Sequence, residues 1–352
     1  MRIYIILLAF ILMNIFFEIS FSTIKVLKFR INTRKMSFFL CFFFILMIGL
    51  MRSQYLGVDV SNYRRYFLNF YPSKNITFFM FNFKYDIGYV LLNKFIRLFT
   101  GSFRIFENIV FLISFGIFSY VIYKRSKYPA LSFLVYIGFG FIGTNLCILR
   151  QSIACAICFL SFDYLKRNKI YIYFFLILLA TTFHKTAIFF ILSYIIVQSK
   201  DMKISLVKKN ILIILSILSS VYVISFLYKF YSNDYSEISI SGRGYKLLIF
   251  YILISLILRI IMGNRNFKDE LKDYDCSFSS IYFQIVALSF SLFTRVTSYY
   301  ELMYTLSVPN ISNKSEFNKF YVFVFSVLFS ILFIFELIND GCQIVPYIPF
   351  FA

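Results

Sequence analysis

Residues 146–186 read LCILRQSIACAICFLSFDYLKRNKIYIYFFLILLATTFHKT, and their pattern decides the fold. Two apolar hairpins are visible. The first turns over at Arg150-Gln151 and the second at His184-Lys185, where His184 is the chain's one histidine. Between them lies a basic patch, Lys166, Arg167 and Lys169. Upstream, Lys124, Arg125 and Lys127 precede the first block; downstream, Lys200, Lys203, Lys208 and Lys209 follow the second. Each block therefore has positive clusters at both ends. Such clusters mark cytoplasmic loops. A hairpin keeps both on one side, whereas a single crossing would strand one outside.

The whole chain repeats this texture. Of its 352 residues 60% are hydrophobic and only 15% charged, and its mean hydropathy is +0.79. A soluble domain is about 45–50% apolar and about a quarter charged. Apolar runs near the ~20 residues that cross a bilayer recur from end to end. The expectation is an all-α, polytopic helical membrane protein of about twelve spans (ten to twelve), forming one integral membrane domain over residues 1–352 with no separate soluble domain. The net charge of +20 does not imply nucleic acid, because the basic residues sit in short clusters between spans rather than in one stripe interleaved with aromatics. The cysteines lie mostly inside spans. Cys155 and Cys158 form a C-x-x-C on an apolar helix, where small residues for helix packing explain them. One histidine and scattered acids offer no metal-ligand cluster, so neither a metal nor a cofactor is expected.

Span one, about 3–22, lacks a cleavage site and is read as a retained helix. The basic loop after it, Lys25 to Lys35, places the amino terminus outside. Span two is about 37–51. Residues 52–102 form an outer loop too polar to span and too aromatic to be disordered, suited to short amphipathic helices at the surface. Further spans fall at about 103–123, 129–147, 149–165, 170–183, 186–198 and 210–228, then, after a second outer loop at 229–244, at about 246–262, 278–294, 298–312 and 320–338. The tail then lies outside. On this topology Arg52, Asp59, Asp86, Arg150, His184, Lys185, Arg243 and Arg295 share the outer face. Isolated charges in membrane segments suggest a functional site. Arginines bind phosphate oxygens in planar, bidentate fashion, and a carboxylate or histidine serves as a general base. Each residue also has a plainer reading. Arg52, Arg150 and Arg295 stand at span ends where side chains snorkel. Asp59 suits a helix cap and Asp86 a turn. Arg243, between two glycines, suits a flexible loop, and Tyr347 alone is uninformative.

The residues also match a family pattern. After the second span comes Arg52, then Gly57, Asp59 and Tyr63; then Tyr85-Asp86-x-Gly88-Tyr89; then Leu149-Arg150-Gln151 with Ala154; then Phe183-His184-Lys185-Thr186; then Arg295 near Tyr299; and Pro346-Tyr347 in the tail. In order and spacing the chain resembles the EpsG-like, Wzy-type polysaccharide polymerases of bacterial surface-glycan clusters. Asp86 stands where that family more often has Glu. The resemblance implies an inverting, metal-independent glycosyltransferase in the cytoplasmic membrane, active on the outer face. It would move a growing glycan from undecaprenyl diphosphate onto an incoming lipid-linked repeat unit, in company with a chain-length regulator and a flippase. It further implies Asp59 or His184 as acceptor base, catalytic Arg150, and diphosphate or substrate contacts from Arg52, Tyr63, Asp86, Gln151, Lys185, Arg243, Arg295 and Tyr347. A glycan ligase would share the donor but typically carries its large outer loop late in the chain. A flippase would carry charge inside the bundle and show internal repeats.

Overall fold

Apolar runs flanked by polar turns fold into helices because backbone groups in lipid must be paired within the segment. The computed structural model describes residues 1–26, 29–69, 85–198, 242–263, 267–288 and 290–351. In chain order the elements are α1 (Arg2–Ser20), β1 (Thr23–Val26), β2 (Phe29–Asn32), α2 (Thr33–Leu50), α3 (Val60–Leu68), α4 (Ile87–Arg97), α5 (Phe103–Arg125), α6 (Pro129–Gly138), α7 (Phe141–Cys147), α8 (Leu149–Lys166) and α9 (Ile170–Phe183). A 3-10 helix (Lys185–Ile191) then leads into α10 (Leu192–Gln198). After it come α11 (Gly242–Met262), α12 (Lys268–Ala287), α13 (Phe293–Glu301), α14 (Tyr304–Lys314) and α15 (Asn318–Asn339).

Among the described residues, α1, α2, α5, α11 and α15 are long and apolar enough to cross a membrane, and α6 with α7 makes a sixth if that bent pair is one span. The chain is a helical membrane protein with several apolar spans. The other apolar segments are shorter or more polar helices. Large apolar side chains point outward from the long ones: Phe16, Phe43, Ile260 and Phe323 are all more than half exposed. Inside, α6 is buried along its whole length, and α8 along most of its own. Polar side chains join helices there, as is common where lipid removes the hydrophobic drive. Ser132 donates to the Thr305 carbonyl (2.6 Å), and Ser255 pairs with Tyr304 (2.7 Å).

Of the two hairpins read from residues 146–186, the second is present; the expected arms of the first pack elsewhere, α6 on α1, α14 and α15 and α8 on α5 and α9. The first arm is broken: α6 and α7 meet at 64°, and Gly140 at the break has φ +75°, a left-handed conformation that favours glycine. In the second hairpin the Tyr173 hydroxyl on α9 meets the Phe190 carbonyl (2.9 Å) and the Ser193 hydroxyl (2.9 Å), so the arms run antiparallel about His184. Two other expectations change. The basic segment after α1 is a β-hairpin, with Thr23 opposite Asn32, not an irregular loop. The turn placed at Arg295 lies just before Phe293, and Arg295 sits in the first turn of α13. The preceding helix starts ten residues early, at Lys268, because its polar first half is held by ion pairs: Lys166 to Asp273 (2.7 Å) and Lys314 to Glu270 (2.7 Å). The outer segment does contain short helices, α3 and α4. The expected span 210–228, and the second outer loop up to residue 241, lie outside the described residues.

The two ends of the bundle differ chemically. At one end basic loops meet carboxylates: Arg125 and Arg167 both pair with Asp163, and Glu18 accepts from the Ala130 amide (3.2 Å). At the other end the start of α1, the end of α2 and the tail gather. Tyr4 donates to the Ile344 carbonyl (3.2 Å), Tyr347 donates to the Ile48 carbonyl (2.9 Å), and Phe350 donates to Met51 (2.9 Å).

Candidate functional site

The site end carries nearly every residue singled out in the sequence. Arg150 lies in the first turn of α8. Its Nη1 donates to Asp86 Oδ2 at 3.2 Å, and its guanidinium lies 4.6 Å from the centre of the Tyr85 ring. It also faces the Tyr63 hydroxyl. Tyr63, on α3, packs against Tyr85 and Tyr89 (5.9 and 5.4 Å between ring centres). Thus α3, α4 and α8 together hold one arginine by a carboxylate and an aromatic wall. Asp86 is the N-cap of α4, and its carbonyl accepts from Tyr89 and Val90 (both 3.1 Å). Burial raises its carboxyl above the ordinary value, while Arg150 and then Lys185 pull it back.

The closeness of α4 to α9 depends on Gly88. A Cβ there would lie 2.3 Å from Thr182 Oγ1 and 2.9 Å from the Thr182 carbonyl oxygen. The second contact is backbone, so rotating a side chain does not relieve it. Gly88→Ala is therefore expected to push α4 and Asp86 away from Arg150. Misplacement near 1 Å costs about 100-fold, so the activity of the site should fall at least about tenfold at unchanged protein level. An activity assay beside a membrane immunoblot checks this.

His184 closes the site from the α9 side. It is 7% exposed, and among the described residues neither ring nitrogen has a hydrogen-bond partner. Burial, then the nearby charges of Arg295 and Arg150, lower its pKa to about 3. The ring is therefore neutral, with a nitrogen free to accept. Lys185 beside it is exposed. Asp59 is the N-cap residue of α3, where it caps through its backbone carbonyl (Asn62 amide, 3.1 Å). Its charge reaches Tyr63 and Tyr85.

On the far side of the α8 start a cavity of about 370 Å³ opens, lined in part by Gln151, Gln284, Thr294, Arg295, Glu301 and Glu336. Gln151, next to Arg150 in the first turn of α8, lines this cavity, as does Arg295, whose charge acts on His184. Residues 36–348 match the family model described as EpsG family. The chain belongs to the EpsG family. That makes it a polymerase-like membrane protein of polysaccharide biosynthesis. No curated protein matches the chain, and no solved structure does.

Within this EpsG-family chain two sequence candidates make contacts that tie elements together. Arg52 is 1% exposed; it bonds the Leu146 carbonyl and pairs with Glu107 at 3.3 Å. Tyr347 ties the tail to α2 and stands edge-on to Tyr4. The backbone of Arg243 begins α11, next to Gly244 at the cavity; its side chain lies outside the described residues. Sequence reasoning missed Glu107, Glu301 and Glu336. Each is a lone acid in an apolar stretch, and that signal was available in the sequence.

Proposed function

We propose that the protein polymerises a bacterial surface polysaccharide, transferring a growing glycan from undecaprenyl diphosphate onto an incoming lipid-linked repeat unit at the outer face of the cytoplasmic membrane. One observation carries the reading beyond family membership. A buried, unpartnered, neutral histidine stands within the field of two arginines at the end of the bundle opposite the basic loops. The positive-inside rule puts those basic loops in the cytoplasm, and hence the site and both termini outside.

In this mechanism the acceptor hydroxyl oxygen attacks the anomeric carbon as the bond to the diphosphate oxygen breaks. The electron pair stays on the leaving diphosphate, and the hydroxyl proton passes to His184. A single displacement of this kind inverts the anomeric centre. Arg150, with Arg295 and Lys185, stabilises the charge that gathers on the diphosphate. Asp86 and the Tyr63–Tyr85 wall orient Arg150, and Asp59 flanks the acceptor side. Burial does most to hold His184 down; bound diphosphate would offset the lesser part that comes from Arg295 and Arg150, so proton affinity rises when the base is needed. The rate falls with acid as His184 becomes protonated. The acid limb of kcat, which reports the substrate complex, should therefore lie at higher pH than that of kcat/KM, which reports the free enzyme. Coincident limbs, or His184→Gln at native rate, would remove His184 as base.

Deletion of the gene alone tests the function on a surface-glycan gel. Loss of long chains with single repeat units still on their anchor supports polymerisation. Accumulated lipid-linked long chains indicate a ligase, and unpolymerised units on the inner leaflet a flippase.

A further inference from the structure

We propose that Cys147 and Cys342 form a disulfide bond that ties the tail to the end of α7. The proposal rests on the outer placement of this end given above, because disulfides form and persist in oxidising settings outside the cytoplasm.

Several contacts bring the two cysteines together. Gly143 and Cys147 lie four positions apart on α7, hence on one face of that helix. A Cβ on Gly143 would stand 3.1 Å from both Cβ and Sγ of Cys342, so the tail crosses this face. Residues 57–58 touch both cysteines. A Cβ on Gly57 would lie 2.6 Å from the Cys147 Cβ, and the Val58 amide donates to the Cys342 carbonyl (3.1 Å). The thiols themselves face each other within hydrogen-bonding reach. The turn that carries Cys342 is fixed in place. The Asp340 carboxylate accepts from the amides of Ile344 (2.7 Å) and Val345 (3.0 Å).

Access singles out the same pair. Cys41, Cys147, Cys155, Cys158 and Cys276 are fully buried, whereas Cys342 is partly exposed. An oxidant arriving from outside therefore meets Cys342 first. The Cys342 thiolate attacks one sulfur of an external disulfide, carried by a protein or a small molecule, and expels a thiol. The Cys147 thiolate then attacks the Cys342 sulfur of the mixed disulfide and expels the second thiol. The pair loses two hydrogens and the external disulfide gains them. Leu146, next to Cys147, is held by Arg52 through its carbonyl. The bond would thus fasten the tail to the helix end that Arg52 grips. Gly143, Cys342 and Ile344 line the cavity beside Gln151, so the bond would also fix that wall.

The test counts thiols in the full-length protein. Cells grown in air are denatured in acid, and a mass-adding maleimide tags free thiols before or after reduction. With six cysteines in the chain, the native protein is expected to take four tags before reduction and six after. Cys147→Ser and Cys342→Ser should each take five in both conditions. Two thiols still protected in Cys342→Ser would put the bond elsewhere and overturn the assignment. Six tags on the native chain without reduction overturn it as well. Purified native protein in nanodiscs, treated with oxidised glutathione, then separates the two premises. Closure there places the error in the outer placement, and no closure places it in the pairing. The surface-glycan gel tests the polymerase reading separately.

Discussion

Arg52→Ala is expected to cost the protein its fold before its activity. The Arg52 side chain is 1% and that of Glu107 2% exposed, with 3.3 Å between them. The other guanidinium nitrogen bonds the Leu146 carbonyl at the end of α7. One side chain thus joins the ends of α2, α5 and α7 at the site end. Removing it leaves a buried carboxylate and a buried carbonyl without their partner. Breaking such a pair from one side costs about 3–5 kcal/mol, a large share of the roughly 5–15 kcal/mol that holds a typical domain. Thermal unfolding followed by size-exclusion should show a large fall in midpoint and in folded yield. Replacing both charges, Arg52→Met with Glu107→Leu, should recover much of the loss, because well-packed apolar pairs often substitute for buried ion pairs. Arg52→Ala with native yield and midpoint would show that Arg52 is no clamp.

Arg150→Ala is expected to abolish chain extension while the protein accumulates normally. The Arg150 side chain is 20% exposed, and its buried partner Asp86 keeps the favourable charge of Lys185, so the loss of Arg150 costs less stability than that of Arg52. On the proposed mechanism, what goes is a donor to the leaving diphosphate. Loss of one such donor typically costs about 100- to 1,000-fold in kcat. Arg150→Lys should fail nearly as badly. An ammonium lacks the planar fork that spans Asp86 and phosphate oxygens and does not stack on Tyr85 in the same way. Native chain lengths from Arg150→Lys would reduce Arg150 to a simple counter-charge.

The long helices were legible because α1, α2, α5, α11 and α15 are unbroken apolar runs, and such runs have few ways to fold in lipid. The hairpin at His184 was legible from the basic clusters at its feet. The first half of α12 was not, since Asp273 and Glu270 look like loop residues until Lys166 and Lys314 are seen opposite them. The same limit governs the site. Arg150, Asp86, Tyr63 and His184 stand out as lone polar residues in apolar surroundings, and the fold brings them together. Arg52 stands out equally, yet its partner Glu107 is 55 positions away, and nothing local separates a clamp from a ligand. Glu301 and Glu336 were passed over because they fall inside expected spans, where an acid faces either a partner or a cavity and the sequence shows neither.

The arms of the second hairpin are short. Helix α9 has 14 residues, about 21 Å at ~1.5 Å per residue, against about 30 Å of hydrocarbon. Its outer side is bare, with Tyr171 93%, Phe175 64% and Leu178 60% exposed. Set across a bilayer, a hairpin of this length would make the lipid tails beside it shorten or tilt, so that the leaflet dips around the helix that ends at His184. Hydrophobic mismatch then sets how deep the imidazole sits below the headgroups. On the proposed function, a polyprenyl carrier approaching through that dip would meet the site with less hydrocarbon to cross.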